Sequence, residues 1–231
     1  MKQPSERNRE LIRHIARISM VQWSEEPVTF VSGIKSRVYV SGREELTGDT
    51  DALFVIGSAI AHAAFMNMDP VNLTARKKLI LIGIPTAGTP LAVAASLAWR
   101  AVMSDIRMGS RTMRTEIKAY GRAENRRWVD GEPRDDELYY TVDNVITDGQ
   151  TKLEKIAQLR EDGYPTETMT HIIVVDRKQG GVETLRACGH KVITLVDLPD
   201  IVEAHVTQGT WGPDRLKRYR AEQVEWTALH Q

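Results

Sequence analysis

Tyr139-Tyr-Thr-Val-Asp-Asn-Val-Ile-Thr-Asp-Gly-Gln-Thr151 is a run in which a strand pattern reaches a carboxylate and then passes into a glycine-bearing turn. Tyr139 to Val142 is aromatic and β-branched, enough for one buried strand, and the pattern predicts that the strand stops at Asp143-Asn144. In an open parallel sheet, that end of a strand is where ligands bind. Thr147-Asp-Gly-Gln-Thr151 then leads into a helix over Lys152 to Leu159, with apolar residues at Leu153, Ile156, Ala157 and Leu159. Backbone N–H groups at such a helix start hold a phosphate. A carboxylate just upstream, an acceptor-only group when ionised, matches the two hydroxyls of a ribose. Taken alone, the same residues also serve as an ordinary turn and helix cap.

Strands and helices alternate on both sides of this run. A first amphipathic helix is expected from Glu6 to Met20, on the spacing of Leu11, Ile12, Ile15, Ala16 and Ile18. Val28 to Val40 reads as two short strands about a turn at Ser32-Gly33. Asp49 or Thr50 caps a helix reaching Met68, and Leu79 to Ile84 is a buried strand. Pro85-Thr-Ala-Gly-Thr-Pro90 connects it to a helix through Leu91, Val93, Ala94 and Leu97. His171 to Asp176 and Lys191 to Val196 are further strands, with a short helix from about Val182 to Cys188 between them. The alternation predicts an α/β fold with a central, mostly parallel, doubly wound sheet flanked by helices. Arg107 to Glu137 is polar and charged without an apolar period, the composition of a disordered segment or a functional lid. Trp211-Gly-Pro213 and a terminal helix over Arg215 to Leu229 close the chain.

The 231 residues suit a single domain with a full core, at 42% hydrophobic and 27% charged residues. Lys plus Arg and Asp plus Glu both number 31, so no overall field recruits nucleic acid or an acidic membrane, and anion binding must be local. One cysteine, Cys188, excludes an internal disulfide and any multi-cysteine metal site; it is expected as buried filler. The six histidines form no ligand-like cluster, and no protein metal ligands are expected. Without a transmembrane-length run or a signal-peptide pattern near Met1 to Glu10, the default expectation is a cytoplasmic protein.

The strand, acid, apolar pair, Thr-x-Gly-x-Thr and helix of 139–159 together resemble the phosphoribosyl pyrophosphate (PRPP) signature of the type I phosphoribosyltransferases. Four further segments are similar to one branch of them, the orotate phosphoribosyltransferases. They are Ser32-Gly-Ile-Lys-Ser36 with Tyr39-Val40, Gly83-Ile-Pro-Thr-Ala-Gly-Thr-Pro-Leu-Ala92, Arg114-Thr-Glu-Ile-Lys-Ala-Tyr-Gly121 and Asp176-Arg-Lys-Gln-Gly-Gly181. The five lie in the family's order across about 28–181.

The resemblance implies one type I phosphoribosyltransferase domain over 1–231. Its parts are an N-terminal helix and hood (about 1–48), a core (49–206) with a mobile lid (about 107–137), and a C-terminal extension (207–231). It implies a glycosyltransferase, specifically a pentosyltransferase, that moves the phosphoribosyl group of PRPP onto orotate in pyrimidine biosynthesis. Asp143 and Asn144 hold the ribose hydroxyls, and Thr147, Asp148, Gly149, Gln150 and Thr151 hold the 5′-phosphate. Thr86, Ala87 and Gly88 line the pyrophosphate through a non-proline cis peptide. Tyr39, Val40, Thr147 and Arg177 meet orotate, and Arg114, Lys118 and Tyr120 close over the leaving group, with Asp143 completing the catalytic set. Mg²⁺ enters with PRPP, and a homodimer shares the lid between subunits.

The chain differs from the pattern at Val31, Ala87 and Thr115, where many members carry lysine, and at Asn144, where a second acid is common. Arg111, Lys35 and Arg37 are the candidates to compensate for the lost cations. Two other readings stay open on these differences: a regulator of the same fold that binds PRPP or a nucleotide, and a transferase acting on another base.

Overall fold

The computed structural model describes residues 6–18, 20–30, 33–42, 44–74, 76–102, 105–117 and 127–229. Helix α1 (Glu6–Arg17) precedes strands β1 (Val21–Thr29) and β2 (Lys35–Val40), then helices α2 (Glu44–Thr47), α3 (Thr50–Met66) and α4 (Pro70–Thr74). Strand β3 (Lys78–Gly83), helix α5 (Gly88–Val102), strand β4 (Met108–Thr112) and strand β5 (Glu137–Ile146) follow. The chain continues through α6 (Gln150–Glu161), β6 (Thr170–Asp176), α7 (Gly181–Ala187), β7 (Lys191–Asp197), α8 (Leu198–Thr207) and α9 (Pro213–Leu229).

The five core strands pair in parallel in the order β4-β3-β5-β6-β7, and β1 and β2 form a separate antiparallel hairpin, the hood. Period-two alternation assigns the sheet's two faces. Leu79 and Leu81 of β3 belong to one buried cluster with residues of α1, α3 and α5, whereas Ile80 and Ile82 join Tyr139, Leu159 and Tyr164 on the opposite face. A third cluster, Ile146, Ile156, Ile173, Val182, Leu185 and Val192, seats α6 and α7. Because β3 is followed by β4 on one side and has β5 on the other, the strand order reverses at β3/β5. A crevice opens there at the carboxyl ends of the strands.

The described residues depart from the sequence reading in several places, among them β1, which begins at Val21 rather than Val28, and the short helices α2 and α4, which that reading lacks. Strand β5 does not stop at Asp143-Asn144. It pairs with β3 only as far as Val142, yet stays paired to β6 through Ile146, because the longer β6 keeps supplying backbone partners. The segment read as lid from 107 to 137 starts as an edge strand, β4, which half-buried Met-Gly-Ser-Arg-Thr forms through its backbone pairing with β3 rather than through an apolar pattern. Helix α8 was not anticipated. Cys188, expected to be buried, is exposed where α7 ends.

Two buried histidines give the fold a pH dependence. His171 is 2% exposed with Nδ1 2.8 Å from Thr141 Oγ1. Burial, with a smaller contribution from His190, pulls its pKa down to about 3, and burial pulls His205, stacked on Trp211, down to about 4. Both are neutral in the fold, but in the unfolded chain they take up protons below about 6.5. Between that value and the folded values the unfolded chain binds more protons, so stability falls as the pH falls through this window, by up to about 1.4 kcal/mol per pH unit for each histidine. Urea unfolding is expected to show a lower midpoint at pH 5 than at pH 7, with a smaller difference in His171→Gln.

Candidate active site

The crevice at β3/β5 holds a cavity of about 290 Å³. One wall is the connection after β3, with Thr86 and Ala87, and its Pro85–Thr86 peptide bond is cis. The opposite wall is the end of β5 and the start of α6, with Asp143, Asn144, Thr147, Thr151 and Lys152. The hood supplies Phe30, Tyr39 and Val40, and Arg177 enters from the turn after β6. A larger hollow of about 470 Å³, with Lys77, Arg134 and Lys191 in its walls, lies at the amino ends of the strands. An open parallel sheet binds ligands at the carboxyl ends, so the smaller cavity is the candidate site.

Backbone geometry shapes both loops. Gly88 begins α5 with its N–H donated to the Ile84 carbonyl at 2.9 Å, and a Cβ there would lie 2.1 Å from the Val142 carbonyl oxygen. The close approach of α5 to β5 therefore requires glycine. Gly149 precedes α6 with φ of 89°, in the left-handed region, which turns the chain from the Thr147-Asp148 segment into the helix start. The Asp148 carboxylate accepts from the Gln150 backbone N–H at 3.1 Å.

Asp143 is 5% exposed. Its Oδ1 accepts the Asn144 backbone N–H at 2.7 Å, and its Oδ2 lies 2.5 Å from the Lys152 ammonium. The Asn144 side-chain amide donates to the Ser41 carbonyl, so this residue also ties β5 to the segment after the hood. Arg177 is 1% exposed: Nε donates to Gln179 Oε1 at 2.9 Å and Nη1 to the Val38 carbonyl at 3.0 Å, and the guanidinium lies 4.4 Å from the centre of the Phe30 ring. Its Nη2 has no partner among the described residues. Burial pulls the Arg177 pKa down to about 10, which leaves it charged at neutral pH.

The structure thus gathers Tyr39, Val40, Thr86, Ala87, Asp143, Asn144, Thr147, Thr151 and Arg177 about one cavity. Gly88, Asp148, Gly149 and Gln150 are outside that lining, at the first residues of α5 and α6 and in the turn before α6. Arg114 pairs with Asp130 beside β4, and Lys118 and Tyr120 lie outside the described residues. The candidate compensating cations do not line the cavity. Arg111 is held by buried Glu137 and by Tyr164 at 2.8 Å, Arg37 pairs with Glu222 of α9 at 3.0 Å, and Lys35 is exposed at the start of β2. Sequence reasoning missed Lys152, whose only signal was its place directly after Thr151. It also missed Phe30, stacked on Tyr39 at 6.2 Å.

Glu222 anchors the hood to α9 through Ser36 Oγ at 3.0 Å and the Arg37 backbone and side chain. Glu222→Gln is expected to cost about 1–2 kcal/mol in a thermal unfolding measurement, since charge-assisted bonds at a partly buried carboxylate are weakened together.

The parallel five-strand order, the crevice at β3/β5 and the loop arrangement define the fold of the type I phosphoribosyltransferases. A solved structure, UMP synthase of Leishmania donovani, superposes with a TM-score of 0.74 at 20% identity over 95% of this chain and 42% of that one. No protein-family model matches the sequence. Among curated relatives, the orotate phosphoribosyltransferase of Methanocella arvoryzae is 30% identical over 193 residues, 84% of this chain and 96% of that protein. That of Halobacterium salinarum is 31% identical over 124 residues, and there the match spans 54% of this chain and 64% of the relative's length. The chain belongs to the orotate phosphoribosyltransferase family. No helix among the described residues is long and apolar enough to cross a membrane.

Proposed function

We propose that the protein transfers the phosphoribosyl group of PRPP to orotate, giving orotidine 5′-monophosphate and pyrophosphate, a step of pyrimidine nucleotide biosynthesis. The observation that carries this reading is the convergence on one cavity of a buried carboxylate, Asp143, the start of α6 behind Thr147 and Thr151, and a buried guanidinium, Arg177, under an aromatic hood.

The bond from C1 of the ribose to the pyrophosphate oxygen breaks with its electron pair leaving on pyrophosphate. A ring nitrogen of orotate supplies the pair for the new C1–N bond, and the proton on that nitrogen is released. The protein's work is positioning and stabilisation of the leaving group. Asp143 accepts from the ribose hydroxyls, and the backbone of 147–151 grips the 5′-phosphate. Thr86 and Ala87 face the pyrophosphate across the cavity. Arg177, with Nη2 uncommitted among the described residues, suits the planar carboxylate of orotate, and Tyr39 and Val40 bound the base. Arg114, Lys118 and Tyr120 close over the leaving group, from a neighbouring subunit in a homodimer.

Mg²⁺ is ordinarily held by one or two carboxylates and by substrate phosphates, and Asp143 offers one hard carboxylate beside the cavity. When bound, the ion supplies neutralisation of charge on the departing pyrophosphate.

An orotate absorbance assay with PRPP and Mg²⁺ tests the reading, with uracil and the purine bases in parallel. Magnesium-dependent loss of orotate is expected. Turnover on a different base would reassign the acceptor. PRPP protection against thermal unfolding without turnover on any base would leave a PRPP-binding regulator in its place.

A further inference from the structure

Lys152 is the third residue of α6, within the first turn, where the helix dipole disfavours a positive charge. Its side chain is nonetheless 14% exposed, turned into the cavity, with its ammonium 2.5 Å from Asp143 Oδ2. Because Oδ1 of Asp143 already accepts from the Asn144 N–H, both oxygens of the carboxylate proposed to hold ribose are engaged. Lys152 is also one residue beyond Thr151 and shares the cavity lining with Thr147, Thr86 and Ala87, so a phosphate held there lies within reach of its flexible stem.

We infer that Lys152 is a travelling anion-binding residue of this site: it neutralises Asp143 while the site is free, and moves its ammonium to a phosphate oxygen when PRPP arrives. The move releases Asp143 Oδ2 to accept from a ribose hydroxyl. The inference rests on the reading that the cavity binds PRPP. In both arrangements each buried charge has a partner, which avoids the penalty of an unpaired charge on either side of the exchange. A phosphate group, with more negative charge than a carboxylate, draws the ammonium toward itself. Lysine suits the exchange because its charge is compact and its four-carbon stem rotates, whereas the rigid fork of arginine does not follow as easily. A sugar phosphate with free hydroxyls satisfies Lys152 and Asp143 together. Pyrophosphate alone takes Lys152 and leaves Asp143 without its partner, so Lys152 couples recognition of phosphate to recognition of ribose.

Titration calorimetry with PRPP and with pyrophosphate, together with initial rates against each substrate, tests the assignment on the full chain. Lys152→Met is expected to weaken PRPP binding at least about tenfold, the loss of one charge-assisted bond, and to leave the KM for orotate within about twofold. Lys152→Gln keeps a donor for Asp143 but no charge, and is expected to show the same weakening; it carries the test if the methionine variant does not fold. Lys152→Arg is expected to recover part of the affinity. PRPP binding by the Met or Gln variant at wild-type strength overturns the assignment and leaves Lys152 as a structural counter-ion. Absence of PRPP binding by the wild-type protein overturns the proposed function itself and this inference with it.

Discussion

Asp143→Asn lowers kcat/KM for PRPP by an expected factor of about 10²–10⁴. In the proposed reading the carboxylate accepts from two ribose hydroxyls, one at Oδ2 once Lys152 leaves it and one at Oδ1 beside the Asn144 N–H, and each charge-assisted bond contributes about 1.5–3 kcal/mol, a sum of about 3–6 kcal/mol in the transition state. The substitution also leaves Lys152, 2.5 Å away, without its anionic partner, and an uncompensated charge in a site this buried lowers stability as well. Thermal unfolding separates the two effects. The double variant Asp143→Asn, Lys152→Met removes both charges and is expected to regain stability lost by the single variant while remaining inactive. Turnover by Asp143→Asn within tenfold of wild type would remove Asp143 from the ribose site.

Gly88→Ala is the second large effect, and it acts through the backbone. The added methyl would lie 2.1 Å from the Val142 carbonyl oxygen and 3.1 Å from its carbon, so either β5 or the start of α5 must move. Overpacking of this kind costs about 1–3 kcal/mol. The displacement is delivered to both walls of the cavity, because Val142 precedes Asp143 and Gly88 follows Ala87. A misplacement on the order of 1 Å in a positioning site costs about 10²-fold in rate. The variant is therefore expected to fold with a lowered Tm and to show about a 10²-fold lower kcat/KM for PRPP. A wild-type rate at unchanged Tm would mean that the loop does not need its approach to β5.

Much of the architecture was legible in local pattern. The apolar run of β3, the alternation of strands with helices and the glycine-bearing turns before α6 and α7 each signal structure within a dozen residues, and the structure has them. The edge strand β4 was hidden because its residues Met-Gly-Ser-Arg-Thr carry no apolar alternation. Its strand character comes from hydrogen bonding to β3, a segment about thirty residues earlier. The extent of β5 was misjudged for a related reason: its last residues are held by β6 alone.

The same division holds at the site. The order of carboxylate, phosphate loop and arginine turn along the chain determined which residues to consider, because a strand end and a helix start are local features. Which charges meet was decided only by the tertiary structure. Arg37 is taken by Glu222, far along the chain, and Arg111 by Glu137 and Tyr164, while Lys152 turns back from α6 onto Asp143. A long cationic side chain has many rotamers and no intrinsic partner, so its pairing is fixed by whichever buried carboxylate the packed elements bring within reach.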